Sequence, residues 1–126
     1  MNVAYVDTSC LVALAFGERG AAALARRLNR FNRLVASNLL ESELRSAYAR
    51  EQIDDDPDAL DAISWIVPDR SLSPEIGRVL SAGYVRGADC WHLATALYLA
   101  SEPGNITFMT LDRAQGAVAR ALGFLG

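Results

Sequence analysis

Short apolar runs of β-favouring residues recur along this chain, and each is followed by a helically patterned stretch too long for a hairpin return. Residues 3–6, 33–36, 65–67 and 106–110 read as strands. Helical patterns fill 11–16, 21–30, 38–52, 73–82, 87–100 and 113–122, with a further short helix expected after the acidic turn at 54–58. Parallel strands need crossover connections of this kind, so the expected fold is α/β: a central parallel sheet of about four or five short strands between two helical layers. With 126 residues, 52% of them hydrophobic, and no low-complexity linker or internal repeat, residues 1–126 are expected to form one domain.

Charge and composition remove several function classes. Twelve basic residues against fifteen acidic ones give a net charge of -3, which argues against coating nucleic acid by bulk positive charge. No apolar run approaches the roughly 20 residues that span a bilayer. The first strand begins almost at Met1, with no basic start or cleavage site before it, so a cytoplasmic protein is expected. Cys10 and Cys90 sit inside apolar helical patterns without zinc-like spacing and read as buried thiols. All basic residues are arginine, which together with abundant alanine reads as a bacterial codon bias.

Four acids fall where a core pattern does not call for them. Asp7 and Asp112 each follow a strand and precede a helix, which places them on the carboxyl edge of a parallel sheet, where ligands bind. Asp89 shares a helical stripe with Leu93, Ala96 and Ala100 and points inward. On the third helix Glu41 and Glu43 flank the stripe Leu40, Leu44 and Ala47, and the wheel alone does not choose between them. Arg45, one turn after Glu41, offers it a surface ion pair, so Glu43 is read as the inward one. Each aspartate taken singly also suits a helix cap or first-turn acid, contributing about 1 kcal/mol. Convergence of several on one edge raises their repulsion, which a divalent cation relieves. Oxygen-only ligands suit Mg²⁺ or Mn²⁺, and such a site activates water and steadies a pentacovalent phosphorus.

The segments Asp7-Thr8-Ser9, Ser37-Asn38-Leu39-Leu40-Glu41-Ser42-Glu43-Leu44, Gly87-Ala88-Asp89-Cys90-Trp91-His92-Leu93-Ala94 and Thr110-Leu111-Asp112-Arg113 occur in this order. The set resembles the acidic motifs of PIN-domain ribonucleases, specifically the toxin half of VapBC-type toxin–antitoxin pairs, over nearly the whole chain. The resemblance implies a PIN-like three-layer α/β/α fold and an RNA-cleaving hydrolase. It implies that Asp7, Glu43, Asp89 and Asp112 form a catalytic, Mg²⁺-binding cluster, and it selects Glu43 over Glu41. It further implies a homodimer neutralised by a small antitoxin, whose carboxy-terminal segment would cross the active-site groove and present a basic side chain to the acids. One position departs from the pattern: many relatives carry another acid three residues after the last aspartate, and here that residue is Gln115.

Thr8, Ser9 and Thr110 would orient carboxylates, or serve as capping and strand residues. His92, the only histidine, is one turn after Asp89 and is expected to hold hydrogen bonds rather than act as a general base. Arg26, Arg27, Arg30, Arg33, Arg45, Arg50, Arg86 and Arg113 are candidates for phosphate contacts, and the acids at 54–61 read as a solvated turn. Trp91 is expected to pack against a neighbouring helix or a subunit partner. Two other readings compete: a non-catalytic interaction module, and a phosphatase using Asp7 as nucleophile. The second lacks the partner aspartate, since Ser9 stands there, and any lysine.

Overall fold

The computed structural model describes residues 2–126. Among them the chain runs β1 (Val3–Val6), α1 (Thr8–Ala15), α2 (Ala21–Leu28), β2 (Arg33–Ser37), α3 (Leu39–Arg50), β3 (Ile63–Ile66), α4 (Ser73–Ala82), α5 (Gly87–Leu99), a 3₁₀ turn (Pro103–Asn105), β4 (Ile106–Met109) and α6 (Arg113–Leu122). The four strands form one sheet in the order β3-β2-β1-β4, and every pairing is parallel. A single parallel bridge between Thr107 and Leu125 adds the chain end beside β4.

Alternation along the strands sorts the core into two layers. Tyr5, Val35 and Phe108 face one side, packed with Leu72 and Val79 from the α4 side and Leu93 and Ala96 of α5. Ala4, Val6, Ala36 and Met109 face the other, against Cys10 and Leu11 of α1 and Leu40 and Leu44 of α3. Side chains with a period of two thus bury both faces, giving the three-layer α/β/α arrangement. No helix among the described residues is long and apolar enough to cross a membrane.

Local expectations fail in a few places. No helix forms after the acidic turn: residues 57–62 make successive i to i+3 turns, including Asp61 N to Asp58 O at 3.2 Å and Ile63 N to Leu60 O at 3.1 Å. The segment is too short to repay helix nucleation before β3 must start, and β3 starts two residues earlier than expected. Helix α1 begins at Thr8 rather than Leu11, because Asp7 is its N-cap. Helix α3 stops at Arg50, with Gln52 in the left-handed region at φ 56°.

Strand order decides where a ligand can sit. The chain steps from β1 outward to β2 and β3, then returns to place β4 on the opposite side of β1. Connections therefore diverge from the β1/β4 boundary, and in parallel sheets the resulting crevice at the carboxyl ends is the natural ligand site. Asp7 leaves β1 and Asp112 follows β4 at that boundary, where Asp7 N bonds Met109 O at 2.9 Å.

Candidate active site

The strand-end aspartates are held by their own loops. Asp7 is buried, and its Oδ2 accepts hydrogen bonds from Ser9 Oγ at 2.8 Å and Ser9 N at 3.3 Å. Thr110 Oγ1 lies 3.1 Å from the same oxygen and 3.0 Å from Gln115 Oε1, so its one proton serves one or the other. Ser9 Oγ in turn accepts Leu111 N at 3.0 Å, locking the β4–α6 loop to the start of α1. Asp7 Oδ1 makes no hydrogen bond among the described residues and has His92 Nε2 at 3.8 Å. Asp112 is exposed and caps α6, accepting Gln115 N at 2.9 Å. Both aspartates are thus helix caps.

Glu43 on α3 is fixed by Thr8 of α1, in its own helical layer, and by His92 of α5, in the opposite one. Its Oε1 accepts Thr8 Oγ1 at 2.7 Å and His92 Nε2 at 2.7 Å. His92 is fully buried, and its Nδ1 lies 2.6 Å from the hydroxyl of Tyr5, which also accepts the Ser37 amide at 3.0 Å. If Nδ1 carried the proton, the Tyr5 hydroxyl hydrogen would have no acceptor. Tyr5 therefore donates to Nδ1, and Nε2 carries the proton given to Glu43. The chain from Ser37 through Tyr5 and His92 to Glu43 crosses the sheet's carboxyl end and joins the two helical layers. Burial pushes the Glu43 carboxyl up, but the hydrogen bonds from His92 and Thr8 outweigh it, leaving it below its usual range.

Asp89, half-buried in the first turn of α5, is held above the usual carboxylate range, first by burial and then by the negative charges of Asp7 and Asp112, with Glu43 adding to them. Asp89 thus feels the charges of the other three acids, although its own burial is the larger effect. Asp112 lies between two grooves. One, of about 490 Å³, is lined by Glu43, Thr8, Arg50 and Leu111; the other, of about 280 Å³, by Tyr84, Arg86 and Asp89. A larger depression, about 680 Å³, lies elsewhere, around Asn38, Glu41, Arg45 and Asp55, and none of the four acids lines it.

The donor set is all oxygen and its repulsion is of the kind a hard divalent cation relieves, so these residues fit one. Among the described residues no three His, Cys, Asp or Glu side chains are gathered tightly enough to enclose an ion unaided. A small cation that keeps much of its water shell asks for few direct protein ligands.

Residues 4–121 match the PIN domain family. The chain belongs to the PIN domain family. No curated protein and no solved structure matches it. PIN domains are generally metal-dependent nucleases, so the family points to a nuclease-type, hydrolytic function on RNA that uses a divalent metal.

The structure also sorts the remaining candidates. Glu41 pairs with Arg45 at 3.3 Å on the surface, away from the cluster, and Arg45 is taken up further by Asp55 at 2.9 Å. Arg33 begins β2 at the amino end of the sheet, whereas Arg50 and Arg86 line the two grooves beside the acids. Gln115 is fully buried, with its Nε2 3.4 Å from Asp89 O, so it ties α6 to α5. Trp91 donates its indole N–H to Ser37 Oγ at 3.0 Å, and the same hydroxyl, not Asn38, accepts the Leu39 amide at the start of α3. Cys10 and Cys90 are buried, and desolvation pushes the Cys10 thiol up to about 12. Sequence reasoning passed over Tyr5, which reads as an ordinary strand residue. Its signal was a tyrosine two residues before a strand-end aspartate in a chain with a single histidine.

Proposed function

We propose that this PIN domain is a Mg²⁺-dependent endoribonuclease acting in the cytoplasm as the toxin of a type II toxin–antitoxin pair. In this reading residues 1–126 work as one domain, the active form is a homodimer, and a small cognate antitoxin silences it. The observation that carries the nuclease assignment is the placement of Asp7 and Asp112 at the β1/β4 boundary, with Asp112 lining one groove with Glu43 and another with Asp89. Support for the toxin assignment is the order of the four motif segments within the family match.

Asp7, Glu43, Asp89 and Asp112 would hold the cation, with Mn²⁺ as a substitute. When bound, a divalent cation supplies water activation and neutralises charge developing on the phosphate. The protein's own residues prepare that edge. Ser9 and Thr110 engage one oxygen of Asp7, so the other is left for the ligand. His92 and Thr8 keep Glu43 ionised and in one rotamer. Arg50 and Arg86 flank the acids and offset their repulsion of an incoming phosphodiester.

The test is induced expression of the wild type beside Asp7→Asn, with total RNA examined for discrete fragments. Asparagine is as good an N-cap as aspartate, so the variant keeps its fold and isolates the charge. Growth arrest with fragments that depend on Asp7 is expected. Fragments produced equally by Asp7→Asn would refute the site assignment, and arrest by both proteins without fragments would favour a binding module that does not cut. Mn²⁺ titration adds an independent readout, with affinity expected to fall in Asp89→Asn.

A further inference from the structure

Resting on the endoribonuclease reading, we infer that the groove formed by Tyr84, Arg86, Asp89 and Asp112 is a subsite for one unpaired nucleotide of the RNA, with Tyr84 stacking on its base and Arg86 contacting its phosphate. Tyr84 is 83% exposed, the most exposed of the large hydrophobic residues among those described. A lone exposed tyrosine explains nothing by itself. This one shares a groove of about 280 Å³ with an exposed arginine and two of the four clustered carboxylates.

The outward setting of Tyr84 is built into the loop between α4 and α5. Gly83 before it is extended and approaches Val118 so closely that a Cβ would sit 2.9 Å from Val118 Cγ2. Val85 after it is 5% exposed and belongs to the core. With both neighbours pinned inward, the residue between them is held out to solvent. Arg86 is anchored too, its carbonyl accepting Cys90 N at 2.8 Å as α5 begins.

Stacking on an exposed ring and a cation for the backbone are the two elements by which proteins hold single-stranded nucleic acid without reading its sequence. A duplex keeps its bases stacked inside and offers nothing to Tyr84, so the subsite selects unpaired RNA. The acidic edge alone would repel any polyanion, and Arg86 brings a positive charge to the groove on this side of Asp112, as Arg50 does to the other. The two grooves meeting at Asp112 give an RNA strand a path across the carboxylates, and the Tyr84 arm grips the nucleotide on one side of the scissile phosphate.

The experiment measures binding of a fluorescein-labelled, mixed-sequence single-stranded oligoribonucleotide, and of the same sequence as a duplex, to the Asp7→Asn chain with Mg²⁺. Tyr84→Ala, Tyr84→Phe and Arg86→Gln are each added to it. Tyr84→Ala is expected to weaken single-strand binding by about 5- to 150-fold, with Tyr84→Phe restoring it and duplex binding unmoved. Arg86→Gln is expected to reduce the salt dependence of binding by about one phosphate contact. Equal binding by Tyr84→Ala, or an equal loss on duplex, would overturn the subsite while leaving the ribonuclease reading intact. A change in sedimentation on Tyr84→Ala with RNA affinity unchanged would reassign Tyr84 to a protein contact. No RNA binding by the parent and no cleavage by the wild type would overturn both.

Discussion

Tyr5→Phe isolates a single hydroxyl at the centre of the network beneath the carboxylates. The ring is fully buried and stacked on Phe108 at 5.1 Å with an interplanar angle of 5°, and phenylalanine keeps that packing. What it removes is the acceptor for the Ser37 amide at 3.0 Å and the donor to His92 Nδ1 at 2.6 Å. Both partners are 0% exposed, so water does not readily replace the hydroxyl. A buried polar group left without its partner costs about 1–3 kcal/mol, and two are orphaned. Relief from burying the hydroxyl itself offsets part of this, leaving a net loss of about 2–4 kcal/mol. That is a large share of the 5–15 kcal/mol typical of a domain, yet it leaves a folded protein to measure. Urea unfolding followed by circular dichroism should show the midpoint falling by about 1–2 M with the slope unchanged. A midpoint within experimental scatter of the wild type would show that the Ser37–Tyr5–His92 chain carries no stability and that the tautomer assigned to His92 is unsupported.

Other expectations follow from the electrostatics and packing of the site. Asp89 has a raised native value, so the native state holds its proton more tightly than the unfolded chain does; stability is greatest below the ordinary carboxylate range and falls as pH rises through the raised value. Asp89→Asn should therefore melt higher than the wild type at neutral pH and equally at acid pH, and a lower melting temperature at neutral pH would contradict the burial and repulsion that raise its carboxyl. Glu43 has a lowered value and the opposite sign: its contribution is present above the ordinary range and lost as pH falls through the native value, so Glu43→Gln should lower the neutral-pH melting temperature and converge with the wild type in acid. Gly83→Ala forces Val118 aside and should cost about 1–3 kcal/mol in urea unfolding, with wild-type stability ruling out the close approach.

Much of the scaffold was legible along the chain because helix and strand periods are local. The apolar runs of β1 and β4, the cap at Asp7, the cap at Asp112 and the stop at Gly123, which adopts φ 103°, all depend on residues within a few positions of one another. The pairing of Glu41 with Arg45 followed from one helical turn of spacing and left Glu43 for the interior. The helix expected after residue 58 failed for the complementary reason: a local pattern cannot register that β3 must already begin at Ile63 to pair with Leu34.

Tertiary structure alone decided which distant groups meet. Tyr5 and His92 are 87 positions apart, Glu43 and His92 are 49, and Ser37 and Trp91 are 54. Such contacts arise because β4 returns to the far side of β1, bringing α3 and α5 over the same end of the sheet from opposite layers. The same packing set Arg50 and Arg86 beside the carboxylates and Arg33 and Arg45 away from them, and turned Tyr84 outward between two anchored neighbours. A sequence read in short windows carries the period of each element and the chemistry of each side chain. Long-range meeting of those side chains depends on strand order and layer packing, whose energy is shared among residues far apart in the chain.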